Sequence, residues 1–215
     1  TEHFTNQQIS YDEFEKKRQE GENDSPICHL IRNDSLDEFV SIYNEQDLVP
    51  YQMIEPSIFE TNIFLCKNSE KTTLIEYAAF FGSKKIVQFL LDTGEIVPRY
   101  IWIYAIHSGN IDFVYFLEEM GVEPLCHLYD RYFLTAVKCH YNSLAHNLYD
   151  YFYEYKDKQF NEEYFGYYNF EFIPDDFTDD YETIFNYACH YDYTKIVKIL
   201  INDKKVDIHK AILKI

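Results

Sequence analysis

The sequence predicts an all-α solenoid of stacked antiparallel helix pairs with short loops, and three observations predict it. A ten-residue frame recurs: Thr73-Leu74-Ile75-Glu76-Tyr77-Ala78-Ala79-Phe80-Phe81-Gly82 returns as Tyr104-Ala105-Ile106-His107-Ser108-Gly109 and again as Thr183 to Asp192. Each copy is followed by an apolar stripe at helical spacing, as in Ile86-Val87 with Leu90-Leu91, Phe113-Val114 with Leu117, and Ile196-Val197 with Leu200-Ile201. Glycines punctuate the two clearest copies, with Gly82 and Gly109 spaced like Gly94 and Gly121. Glycine supplies the left-handed turn that ends a helix, so two glycines in a copy mark two helix ends. A unit with one apolar face cannot cover that face alone and must stack on its neighbours.

The elements follow in order. Residues 1–24 are polar and read as a frayed helical arm, with Tyr11 and Phe14 as its one contact pair. Ser25-Pro26 opens the first unit (25–43), since Pro is tolerated in a first helical turn. Ile27, Leu30 and Ile31 form its first stripe and Leu36, Phe39, Val40 and Tyr43 its second, with Asp34 where later units place Gly. Residues 44–70 are an insertion: Pro50 and Pro56 exclude a long helix, while Ile54, Ile58, Phe59, Ile63 and Phe64 are too apolar for a free linker.

Residues 72–94 and 99–121 are the two clean units. Residues 131–152 are a degenerate one, with His140 in the glycine position. Residues 153–181 form a second insertion rich in Glu, Asp, Tyr and Phe, read either as a surface excursion or as a docking segment. Residues 183–208 return to the frame, and 209–215 read as the start of a further unit. The missing initial Met and the stop at that point make the chain read as a piece of a longer array.

Charge and cysteines exclude several function classes. Lys and Arg total 19 against 37 Asp and Glu, a formal charge of −18, which argues against nucleic acid and against an anionic membrane surface. It favours basic partners. No apolar run reaches the roughly 18 residues of a membrane span, and no signal peptide opens the chain. Five cysteines without framework spacing point to reduced thiols in a cytoplasmic, intracellular setting. The 21 Tyr and 18 Phe read as a compositional bias laid over core positions, or as an aromatic binding face.

These residues resemble the ankyrin repeat, whose unit reads Thr-Pro-Leu-His-x-Ala-Ala-x-x-Gly followed by Ile-Val-x-x-Leu-Leu. Thr73, Thr183, Ala78-Ala79, Gly82 and the Ile-Val and Leu-Leu stripes match, and Val206-Asp207-Ile208 echoes the closing segment. Leu74 and Ile184 stand for the family's Pro, and Glu76 and Asn186 for its His. The insertion ahead of the first clean unit is similar to divergent arrays of the protozoan type. The resemblance implies a module that binds a protein partner on a concave side, without catalysis or cofactor. In that family the two residues between the Ala pair and the Gly line the concave side. Carried over, these are Arg32-Asn33, Phe80-Phe81, His107-Ser108, Lys138-Cys139 and His190-Tyr191. The competing expectation is that the 44–70 insertion covers Phe80-Phe81. A structural scaffold or self-associating segment is the alternative function.

Metal and nucleophile chemistry are not expected. Four cysteines precede histidine, as in Cys28-His29 and Cys189-His190, but adjacent helical residues point about 100° apart and chelate poorly. No thiol, base and orienting group are specified together, and no phosphate-cradling glycine loop or His-Glu-x-x-His occurs.

Overall fold

The computed structural model describes residues 9–67, 72–94, 97–152, 163–172, 181–203 and 205–206. The described residues are mostly helical and contain no strand beyond an isolated antiparallel bridge between Met53 and Thr73. The chain divides into two units, residues 1–126 and 127–215. The first holds α1 (Tyr11–Glu20), α2 (Pro26–Arg32), α3 (Leu36–Glu45), α4 (Ile63–Lys67), α5 (Leu74–Phe81), α6 (Lys84–Thr93), α7 (Ile101–His107) and α8 (Ile111–Glu119). The second holds α9 (Tyr129–Lys138), α10 (Asn142–Phe152), α11 (Glu163–Gly166), a 3-10 turn at Phe170–Phe172, α12 (Tyr181–His190) and α13 (Thr194–Asn202).

Among the described residues five helix pairs share one turn. The residue that ends the first helix of each pair is left-handed: Asp34 (φ 49°), Gly82 (68°), Gly109 (66°), His140 (59°) and Asp192 (59°). Its N–H donates to the carbonyl three residues back in every case, from Asp34 to Ile31 through Asp192 to Cys189. In four of the turns the next N–H reaches five residues back, as in Ser83 to Ala78 and Tyr193 to Ala188, which closes a Schellman motif. The second helix then starts two residues after the turn each time. Three of the five positions thus hold a side chain in a conformation that L-residues adopt at a cost of about 1–2 kcal/mol.

Gly94 departs from the expected glycine rule. Its φ is −104°, extended rather than left-handed. A Cβ there would lie 3.1 Å from both the Leu90 carbonyl and Pro50 Cγ, so Gly94 is small to admit the first insertion, not to turn the chain.

In the first unit α5 packs on α2 on one side and on α7 on the other, while α3 packs on α6. Ala78, Ala79 and Ala105 are fully buried, which allows the close approach of these helices. Asp34 links successive pairs: its carboxylate accepts the Lys85 and Ile86 N–H groups at 3.2 and 3.1 Å, capping the start of α6. Ser83 Oγ donates to the Ile31 carbonyl at 2.5 Å, and Phe39 and Tyr43 meet Phe89 edge-on.

The polar N-terminal segment differs from the frayed arm that its composition suggests. Ser10 and Gly21 cap α1 at its two ends. Its polar groups hold the first insertion: Arg18 donates to the Ile58 carbonyl, Thr61 N–H to Gly21, and Asn23 Nδ2 to Glu55. Phe14 meets Phe59, which is 2 % exposed, whereas Tyr11 stays out in solvent. The insertion pairs with the chain at its other end, where Ile54 N–H donates to Thr72 and Leu74 N–H to Gln52.

In the second unit, residues 163–172 of the acidic aromatic insertion are core rather than surface. Tyr164, Phe165, Asn169 and Phe172 are buried. Phe172 and Tyr164 meet Phe133 of α9, and Phe165 packs on Ala188, Tyr187 and Tyr193 of the last pair. Asn169 Nδ2 donates to the Val137 carbonyl and to Asn142 Oδ1. The segment fills the space between the pair α9–α10 and the pair α12–α13. Residues 153–162 and 173–180 of that insertion, and the expected further unit at 209–215, lie outside the described residues.

Candidate functional site

The candidate docking residues lie at the C-terminal ends of the first helices, just before the shared left-handed turn. In the first unit the structure brings Phe80, Phe81 and His107 together. Phe80 and Phe81 lie 5.0 Å apart between ring centroids, and Phe80 stacks on His107 at 5.8 Å. All three side chains are half-buried. They form an aromatic surface on the adjacent helices α5 and α7, extended by Tyr77 at 4.8 Å from Phe81.

Arg32 borders this surface, with its guanidinium 5.9 Å from the Phe81 ring. Its donors are engaged elsewhere. Nε lies 2.8 Å from the Glu22 carboxylate, and Nη1 donates to the Asn23 carbonyl and to Tyr77 Oη at 2.9 and 2.8 Å. The side chain is only 10 % exposed, so it ties the N-terminal segment to α2 and α5. Burial raises the Tyr77 phenol, and burial pushes the neighbouring Cys28 thiol up to about 11, which leaves that cysteine inert as a nucleophile. Asn33 is exposed and donates to the His29 carbonyl. Ser108 serves its own turn, donating to the Ala105 carbonyl at 2.6 Å and accepting from Asn110 N–H at 3.2 Å.

Sequence reasoning did not place Phe64 or Tyr104 on this surface. The Phe64 ring lies 3.8 Å from His107, 4.9 Å from Tyr104 and 5.9 Å from Phe80. The first insertion therefore sits on part of the candidate surface, on Phe80 and His107 rather than on Phe81. The apolar run Ile58-Phe59 and Ile63-Phe64 is the signal that this segment packs. It carries no signal for where, because a five-residue helix has too few turns to show a face.

In the second unit Lys138 reaches over Tyr167 at 5.8 Å. Cys139 is half-buried, and burial raises its thiol. His190 and Tyr191 meet edge-on at 4.7 Å. Tyr191 packs so closely on Gly166 that a Cβ there would lie 3.0 Å from the tyrosine ring. Lys138 and Tyr191 thus each contact the 163–172 segment.

Among the described residues no group of three or more His, Cys, Asp or Glu side chains is placed to hold a metal ion. Cys28 is buried while Cys66, Cys126 and Cys189 are exposed at separate places. No helix of the described residues is long and apolar enough to cross a membrane.

No curated protein and no solved structure matches the chain significantly. One family does match: residues 180–210, which contain α12 and α13, fit the family described as Ankyrin repeat. That match falls on the last of the helix pairs described above, and this stretch of the chain is similar to an ankyrin repeat.

Proposed function

We propose that the chain is a non-catalytic protein-interaction module: a divergent ankyrin solenoid of the protozoan type, with an insertion in its first unit, that offers the ends of its first helices to a protein partner in the cytoplasm. The observation that carries this reading is the half-exposed aromatic surface of Phe80, Phe81 and His107, built from adjacent helices at the register position where ankyrin proteins contact partners. Aromatic side chains supply large contact area with few rotatable bonds, which makes them the usual anchors of interfaces. Arg32, Asn33 and Ser108 occupy the same register in the first unit, and Lys138, Cys139, His190 and Tyr191 occupy it in the second, so each unit carries its own proposed contact residues. The formal charge of −18 favours a basic partner through long-range steering.

The test is to identify a partner by co-purification, then measure its affinity for purified variants. Phe80→Ala and His107→Ala are expected to weaken it by about 2 kcal/mol or more each, the scale of an interface anchor, with helicity retained. Unchanged affinity for both variants overturns the surface assignment.

A scaffold or self-associating role is favoured by a different observation. On the last helix pair Cys189 is exposed, and Ile199 and Ile201 are 57 % and 36 % exposed. Sedimentation that depends on concentration, and that Ile199→Asp abolishes, would support that role in place of partner binding.

A further inference from the structure

The first insertion does more than cover apolar surface, because one of its side chains sits where a partner's anchor would sit. Phe64 enters a seat made by Phe80 on α5 and by Tyr104 and His107 on α7. Its neighbours on α4 do not share that environment: Ile63 is 65 % exposed and Cys66 is exposed. The deep anchors of the insertion lie elsewhere, at Ile54 and Phe59, which are buried. Between Phe59 and Phe64 the chain is held by polar contacts near solvent. Thr61 N–H donates to Gly21, Asn62 Oδ1 accepts from the Phe64 and Leu65 N–H groups, and Cys66 Sγ lies 3.2 Å from the Glu60 carbonyl. Exposed hydrogen bonds of this kind exchange with water at a small net cost, about 0.5–1.5 kcal/mol each.

We infer that the seat held by Phe64 is the entry site for an aromatic side chain carried on a short helical segment of the protein partner, and that α4 competes for it from within the chain. This deepens the protein-binding reading and rests on it. The seat selects an aromatic occupant because its walls are two rings and an imidazole, which meet a flat ring by stacked and edge-on contacts. Phe64 shows the fit directly, with a tilted contact on His107, an edge-on contact on Tyr104 and a stacked one on Phe80. A tethered occupant competes at an effective concentration of about millimolar. A partner must therefore outbind α4, and the apparent affinity of the intact chain is lowered by the fraction of molecules in which the seat is filled.

The experiment uses the full chain and a synthetic peptide copying residues 60–67 as the probe. Binding is followed by the imidazole resonances of His107. The peptide is expected to bind Phe64→Ala saturably and at least about tenfold more tightly than it binds the unaltered chain, and to lose binding when its own phenylalanine is replaced by alanine. Phe64→Leu, which keeps the seat partly filled, is expected to fall between. Absence of saturable binding to Phe64→Ala, or equal binding to the unaltered chain, overturns the inference. So does unfolding of the first unit in both variants, since Phe64 would then be core. The outcome separates from the parent reading. A partner lost with Phe80→Ala but indifferent to Phe64→Ala removes the competition and leaves protein binding standing. Uptake of the peptide by a chain whose partner ignores Phe80→Ala keeps the seat and removes that reading.

Discussion

The two units build the same turn but start the helices that lead into it differently, and the last pair of the second unit buries it least. In the first unit the first helices begin where Ser25, Thr73 and Tyr100 stand as N-caps, nine residues before Asp34, Gly82 and Gly109. In the second, α9 and α12 begin at Tyr129 and Tyr181, eleven residues before His140 and Asp192. The positions equivalent to the caps, Arg131 and Thr183, then fall inside the helix. Burial diverges only at the last pair. Ile31, Ala79, Ile106 and Val137 occupy one register position and are fully buried, while Cys189 at that position is exposed. A shared backbone register therefore does not imply a shared environment. The left-handed turn sets the frame, and what packs on the frame sets the stability of each pair.

The largest test of this difference compares two residues four positions after the turn. Phe113 in the first unit is fully buried, and Ile196 in the second is half-buried. Phe113→Ala is expected to destabilise the chain by about 3–5 kcal/mol, the cost of a buried aromatic truncation. Ile196→Ala is expected to cost well under about 2 kcal/mol, because a half-buried site loses less transfer energy and leaves no closed cavity. Urea midpoints of the two variants measure this. Equal losses would mean that the last pair is packed as tightly as the first three.

The frame itself was legible in the sequence, and the reasons show where legibility ends. Gly82 and Gly109 announce the turn because glycine favours it. Asp34, His140 and Asp192 were placed only by counting from the apolar stripes, since Asp and His occur in many other conformations and do not announce a left-handed turn as glycine does. The second role of Asp34, capping α6, leaves no local mark because Lys85 and Ile86 lie a whole insertion away. Gly94 does stand at the end of α6, but it is extended rather than left-handed, and its clearance for Pro50 is a contact that only the folded chain creates. The segment 163–172 looked like surface because acidic flanks dominate its average, yet its own residues are mostly aromatic, and Tyr164, Phe165 and Phe172 are buried. The aromatic surface at Phe80 and His107 was expected from register, whereas the seat of Phe64 was not.

A smaller test concerns the position at which the ankyrin repeat has histidine. Glu76 closes a capping box: Thr73 N–H donates to its carboxylate at 3.0 Å, and Glu76 N–H donates to Thr73 Oγ1 at 3.4 Å. Asn186 holds the equivalent position in α12, but there the helix has already begun and no cap is needed. Its Oδ1 is buried without a hydrogen-bond partner among the described residues. The two positions should therefore respond with opposite signs. Glu76→Ala is expected to cost about 1 kcal/mol as the box opens. Asn186→Leu is expected to gain up to about 1 kcal/mol, because it removes an unsatisfied buried acceptor. A loss at both positions would show that Asn186 is satisfied and that the two units are alike here.

The smallest expected effect separates the two insertions by pH. The second insertion is pinned at Glu171, whose carboxylate lies 2.9 Å from His146 Nε2 and accepts a hydrogen bond from Asn142 Nδ2. The His146 contact, helped by Asn142, holds the Glu171 carboxyl below its ordinary value. A depressed carboxyl stabilises the fold above its unfolded value and loses that contribution as pH falls through its folded value. Protection of the Phe172 amide against hydrogen exchange is therefore expected to fall as the medium is acidified below about pH 4.5, the ordinary glutamate range. Glu171→Gln should flatten that acid limb and leave protection near neutral pH slightly lower. The first insertion also has a carboxylate pin, since Asp24 accepts from Ser57 Oγ at 2.7 Å and from Lys17 Nζ at 3.3 Å. Its bonds from Arg18 to Ile58, from Asn23 to Glu55 and from Thr61 to Gly21 use carbonyl acceptors that do not titrate. Protection at Phe59 should accordingly change less than protection at Phe172 over the same range. The reverse order would show that the Asp24 carboxylate, rather than the carbonyl acceptors, carries the anchoring of the first insertion.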